Sequence, residues 1–122
     1  EADAHTKREL YRRASCLLMP ITWDEPFGLV MIEAMACGTP VVALDHGSVR
    51  EVVAHGVTGY IASDVDEMTY GATTLSAIDP SRCRDHVRAN FHVHRMVSDY
   101  LALYEQILGF GQTERDSNAL AA

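Results

Sequence analysis

Cysteine is scarce in this chain: Cys16, Cys37 and Cys83 are the only three among 122 residues. Three scattered thiols cannot build a disulfide framework, and none stands in a Cys-x-x-Cys pair. Neither a stapled secreted scaffold nor a zinc or dithiol centre is therefore indicated, and a reducing, cytoplasmic setting is expected. Long apolar runs are also absent. No stretch approaches the roughly eighteen consecutive apolar residues that a membrane-spanning helix needs. Glu1-Ala2-Asp3-Ala4-His5 is acidic where a secretory signal would be basic and then apolar. Positive charge is in short supply as well: 10 Lys and Arg against 17 Asp and Glu leave a formal net charge of −7. Binding to nucleic acid or an anionic membrane surface rests on clustered cations that neutralise phosphates, so the charge balance disfavours both, and no nucleic-acid partner is expected. Any phosphate this protein binds must be held locally.

What is present is enough apolar material for one compact core, at 48% hydrophobic residues. Leu10, Tyr11 and Ala14 among charged neighbours predict a short amphipathic helix over 5–15, followed by a buried strand at Cys16-Leu17-Leu18-Met19 that Pro20 stops. A second helix is predicted from Gly28 to Cys37, closed by Gly38. Val41-Val42-Ala43-Leu44 is a second strand, Ser48 a cap for a helix running to Ala54, and Tyr60-Ile61-Ala62 a third strand. Three more helices are expected over 65–77, 80–90 and 94–108, the last with Met96, Val97, Tyr100, Leu101, Tyr104, Ile107 and Leu108 on one face. Short apolar strands alternating with helices imply the α/β class, with a partial doubly wound, Rossmann-like parallel sheet of about three strands flanked by helices. Residues 1–108 read as one partial domain and 109–122, where the apolar pattern fades, as a flexible tail. The first strand follows a helix with no strand before it, so the sheet is expected to begin upstream of Glu1. The edge left open would favour pairing with a second copy, a homodimer.

The residues that carry chemistry lie between Trp23 and Val42. Glu33 stands among Met31, Ile32, Ala34 and Met35, and a carboxylate buried in such surroundings without hydrogen-bond donors costs several kcal/mol. The paired hydroxyls of a ribose would supply those donors. Glu25 lies eight residues earlier, just before Pro26, which favours the first turn of a helix and extends the residue before it. Along a helix rising about 1.5 Å per residue the two carboxylates fall on the order of 10 Å apart, suited to gripping two parts of one long ligand. The amides near Phe27, Gly28 and Leu29 would point out of the helix N-terminus, where the dipole favours an anion such as diphosphate.

The pair Glu25 and Glu33, with Glu-Pro-Phe-Gly and Glu-Ala-Met-Ala-Cys-Gly-Thr-Pro-Val-Val around it, resembles the Glu-x7-Glu motif of the group 1 family of retaining GT-B glycosyltransferases. The likeness continues through Gly47-Ser48-Val49-Arg50-Glu51 and His55-Gly56-Val57-Thr58-Gly59-Tyr60, about the first half of the chain. It implies that the chain is the second half of a GT-B C-terminal domain and that the parent transfers a sugar, with retained anomeric configuration, from a nucleoside diphosphate sugar to an acceptor. It further implies that Glu25 contacts hydroxyls of the donor sugar, which makes it the candidate catalytic residue. Amides over Phe27, Gly28, Leu29 and Val30 would help hold sugar and diphosphate, and Glu33 would bind the nucleotide ribose. The family's phosphate-binding Arg and Lys, its base-binding segment and its acceptor-side histidine all lie upstream of this motif, with the N-terminal domain. Arg50 departs from the family, where many relatives carry proline. No cofactor is expected beyond the donor substrate.

Blander readings stand beside these. A Glu on an apolar helix is commonly a salt-bridged structural residue, and Gly38, Thr39 and Pro40 read as a helix-to-strand turn. Glu51 could cap a helix or brace a loop near the ligand. His86, His92 and His94 form no metal set, since two histidines two apart on a helix face different sides and no carboxylate or cysteine completes the ligands. Lys7, Arg8, Arg12 and Arg13 make a basic patch, read first as a solvated face and second as a contact to a membrane or lipid-linked acceptor. The non-enzymatic alternative is a nucleotide-sugar-binding module or inactive remnant. Glycoside hydrolysis is disfavoured because it needs two carboxylates about 5 to 10 Å apart across an open cleft.

Overall fold

The computed structural model describes residues 3–109. Helix α1 (Ala4–Arg13) leads into strand β1 (Leu17–Met19); α2 (Leu29–Ala36), β2 (Val41–Leu44), α3 (Val49–Val52) and β3 (Gly59–Ala62) follow. Helix α4 (Val65–Thr73), a 3-10 turn at Leu75–Ala77, α5 (Pro80–Asn90) and α6 (Val93–Leu108) complete the order. The strands form one parallel sheet in the order β1-β2-β3, with Leu17 opposite Val41 and Val41 opposite Gly59. This is the three-stranded α/β layer that the alternation of apolar runs predicts.

Strand β2 is buried at every residue because it lies between two strands and between helices on both faces. Successive side chains leave a strand on opposite sides. Val42 and Leu44 accordingly join Ala62 and Met68, with Cys16, Tyr60 and Leu75 packed around them. Val41 and Ala43 point the other way, and α2, which also contacts β2, brings the fully buried Met31, Ala34 and Met35. At about 25 cal/mol per Å² of apolar surface removed from water, side chains of this kind contribute about 1.5–3 kcal/mol each.

The chain groups into two compact units, one ending at Ala89 and one beginning at Asn90. The core just described belongs to the first. In the second, α6 is capped by the His92 imidazole, which accepts from the His94 amide, and by Gly109 at φ 72°. The apolar face predicted for α6 is present, yet no residue of the helix is buried. Of the segment expected as a flexible tail, 110–122 lies outside the described residues. The helix predicted over 65–77 is interrupted at Thr74, beyond which the chain tightens into the 3-10 turn.

Two glycines fix the sheet and its turns. A side chain on Gly59 would overlap the Val41 carbonyl oxygen and stand 2.8 Å from the carbonyl carbon and 3.0 Å from the amide nitrogen, so β2 and β3 pair only with glycine there. Gly38 sits at φ 87° after α2, with the Arg84 guanidinium lying against it. Gly59→Ala is expected to lower stability by about 3 kcal/mol, the upper end of the usual range for a buried steric clash; urea denaturation followed by circular dichroism measures it. Cys83 is fully buried and burial pushes its thiol pKa up, so iodoacetamide should modify it only after denaturation, while Cys16 and Cys37 are partly accessible in the folded chain.

Candidate functional site

The site is assembled at the carboxyl ends of the strands, where open parallel sheets bind ligands. The loop after β1 carries Asp24 and Glu25, and the turn after β2 holds it in place. The Ser48 amide donates to the Glu25 carbonyl at 2.9 Å, and the Gly47 amide donates to Asp24 Oδ1 at 3.2 Å. Gly47 has φ 52°, and a Cβ there would overlap the Glu25 carbonyl oxygen, so the approach of the two turns requires glycine. Arg50 reaches back to Asp45, its Nε donating to Oδ2 at 3.0 Å, and braces the β2–α3 turn. The residue that departs from the family's proline thus supplies an ion pair where proline would supply stiffness. Glu51 is exposed.

Helix α2 begins one residue later than the sequence suggests, at Leu29, because Gly28 is left-handed at φ 74° and separates the helix from Pro26. Glu25 consequently lies on the loop, and its carboxylate turns back to the helix mouth, accepting from the Gly28 amide at 3.2 Å. One of the amides expected to be free is therefore taken by Glu25 itself. Those of Phe27, Leu29 and Val30 meet no acceptor among the described residues. A cavity of about 250 Å³ opens here, lined by Met19, Glu25, Phe27, Gly28, Leu29 and Val30. All five residues predicted for sugar and phosphate line it. The sequence pattern marks Met19 only as the end of a buried strand; its position at a strand's carboxyl end is the signal for a place in the site.

Glu33 departs from its expected setting. Its side chain is 38% exposed, on the side of α2 that faces α1, while Met31, Ala34 and Met35 point into the core. Lys7 Nζ donates to Glu33 Oε1 at 2.6 Å and the Tyr11 hydroxyl donates to Oε2 at 3.3 Å. The ion pair raises the Lys7 pKa through that hydrogen bond, and burial together with the Glu33 charge raises that of Tyr11. Sequence reasoning placed Lys7 in a solvated basic patch; the structure engages it, and Arg12 and Arg13 face Glu9 at 3.6 and 4.0 Å. Glu33 does not line the cavity beside Glu25.

A second concavity of about 280 Å³, lined by Asp45, Arg50, His55, Ile61, Ala62, Ser63 and Glu67, lies at the ends of β2 and β3. His55 accepts from the Ile61 amide at 3.1 Å, and the Glu67 carboxyl is held below its usual pKa by the Ser63 amide and hydroxyl. His92 and His94 stack at 5.0 Å because His92 is the cap of α6 and lies outside its helical turn. His86 meets the Val52 carbonyl at 2.9 Å. Among the described residues no three His, Cys, Asp or Glu side chains are grouped to hold a metal ion, and no helix is long and apolar enough to cross a membrane.

The profile of one protein family, described as "Glycosyl transferases group 1", matches residues 1–90. The chain belongs to that family. It is 36% identical over 112 residues to the D-inositol 3-phosphate glycosyltransferase of Jonesia denitrificans, covering 86% of this chain and 26% of that one. Among solved structures, sucrose-phosphate synthase of Thermosynechococcus elongatus superposes with a TM-score of 0.67 at 32% identity, over 82% of this chain and 27% of its own. Anabaena Alr3699/HepE, solved in complex with UDP-glucose, superposes with a TM-score of 0.62 at 28% identity, over 77% and 29%. The chain thus spans about a quarter of the length of the glycosyltransferases it matches.

Ser48, predicted as a helix cap, makes no side-chain capping bond, since its backbone at φ −76°, ψ 0° is already helical; its hydroxyl is buried without a hydrogen-bond partner among the described residues. Loss of a working cap costs about 1 kcal/mol. Ser48→Ala is instead expected to leave the urea midpoint unchanged or to raise it, because an unsatisfied hydroxyl is removed.

Proposed function

We propose that this segment is the donor-binding half of the C-terminal domain of a retaining GT-B glycosyltransferase, over residues 1–108, and that the parent protein moves a sugar from a nucleoside diphosphate sugar to an acceptor. The observation that carries the reading is the cavity at the mouth of α2, where Glu25 and the unpaired amides of Leu29 and Val30 converge. The UDP-glucose complex of the HepE relative supports the ligand class.

In this reading the sugar hydroxyls meet the Glu25 carboxylate, and the departing diphosphate meets the helix N-terminus, which carries about half a unit of positive charge. Orientation and stabilisation of the leaving group then supply the rate, as fixed dipoles do where charge develops in the transition state. The Gly28 amide occupies one acceptor position of the Glu25 carboxylate and orients it, which leaves the other positions for the sugar hydroxyls. Glu33 takes the ribose at the α1–α2 face. The cationic phosphate ligands, the base site and the acceptor site fall to an upstream N-terminal domain and to the earlier part of this one. The open edge of β1, which pairs only with β2 among the described residues, suits a strand from that upstream part better than a second copy. Three unpaired cysteines suit a cytoplasmic protein. Membrane contact through α1 is the lesser reading, because Lys7, Arg12 and Arg13 face acids.

Calorimetric titration of the full-length protein with uridine, guanosine and adenosine diphosphate sugars tests this. One nucleotide series should bind, and Glu25→Ala and Glu33→Ala should each weaken it on the order of 10- to 100-fold, the range for a hydrogen bond to a charged group. A folded protein that binds none of them overturns the assignment and leaves a module without its ancestral function.

A further inference from the structure

Lys7 and Tyr11 belong to no part of the motif that marks the donor site, yet they make the two side-chain contacts of Glu33 found among the described residues. An ionised carboxylate is an acceptor only, with roughly four lone-pair positions over its two oxygens. Lys7 occupies one on Oε1 and Tyr11 one on Oε2, which leaves one on each oxygen, matched in number to the two donors of a vicinal diol. The arrangement contributes little to stability: the Lys7–Glu33 pair is 46% and 38% exposed, and pairs so wetted gain little over their solvated state. Its consequence is geometric. Two donors from different turns of α1 fix both the rotation of the carboxylate and the plane in which its remaining lone pairs lie.

The platform for these donors is itself held. The Thr39 hydroxyl, buried at the α2–β2 turn, donates to the Tyr11 carbonyl, tying α1 to the end of the helix that carries Glu33. Lys7 and Tyr11 titrate well above neutral pH even unperturbed and are shifted further up here, so both are protonated donors near neutral pH.

We propose that Lys7 and Tyr11 are positioning residues that set the Glu33 carboxylate to receive the 2′- and 3′-hydroxyls of the donor nucleotide, and so determine its preference for ribose over deoxyribose. The proposal rests on the assignment of Glu33 to the ribose and adds the residues that make that recognition specific.

The test is calorimetry on the full-length protein with whichever of UDP, GDP or ADP binds best and with the 2′,3′-dideoxy form of the same nucleotide. Lys7→Ala should weaken the ribonucleotide roughly tenfold, as loss of an ordered charged contact does, while the dideoxy form is held as before, so the preference for ribose collapses. Tyr11→Phe, which keeps the ring and the backbone anchor, should lower the preference by roughly threefold. Lys7→Arg should restore most of it, a rescue that a general loss of fold would not permit. Glu33→Ala separates the two layers. If Glu33→Ala removes the ribose preference but Lys7→Ala and Tyr11→Phe leave it intact, the positioning role is overturned and the Glu33 assignment stands. If Glu33→Ala itself leaves the preference unchanged, the assignment fails and the proposal with it. Tighter ribonucleotide binding by Lys7→Ala also overturns the proposal, since it would make Lys7 a competitor of the ribose.

Discussion

The backbone of Val41 passes so close to Gly59 that no side chain can stand between them. Everything at the functional end of the molecule follows from that approach. It lets β2 and β3 pair in register from Val41 to Leu44, the pairing within which β2 is buried completely and runs to Leu44. Where it stops sets the turn from Asp45 to Ser48, and that turn holds the Glu25 loop through two backbone amides. A steric constraint on one face of a glycine is thus transmitted, through a strand only four residues long, to a carboxylate at the mouth of α2.

Much of this was legible in the sequence because it depends on local pattern. The three apolar runs predict the strands, and two of the positive-φ turns fall on Gly38 and Gly47, residues whose lack of a Cβ permits them. The carboxylate and amides around Glu25 could be placed because loop, proline and glycine lie next to one another in the chain. Glu33 could not be placed in the same way. Its apolar neighbours in sequence are not its neighbours in space: the rotation of about 100° per residue about the helix axis separates the core face of Met31, Ala34 and Met35 from the face that carries Glu33. Its partners, Lys7 and Tyr11, lie 26 and 22 residues away, and no periodicity within α2 announces them.

Ser48 and His92 show how backbone geometry overrides residue-type rules. Serine is a favoured cap, but at Ser48 the backbone is already helical and the hydroxyl makes no bond to the amides it would satisfy. His92 caps α6 in place of the usual short polar residues and so comes to stack on His94. The α6 face reads correctly as apolar but finds no core among the described residues; a helical pattern specifies that a face wants cover, never what covers it.

The left-handed turn at Gly28 means that the two carboxylates are not carried by one rigid rod. Glu25 rides on the loop anchored to the β2–α3 turn, whereas Glu33 rides on α2 and is gripped from α1. They behave as the two jaws of a calliper mounted on different arms, one referenced to the sheet and the other to a surface helix. Drift in α1 over evolution would therefore reset the position of one jaw while leaving the other in calibration, so that the span between the two carboxylates can change without disturbing the loop that carries Glu25.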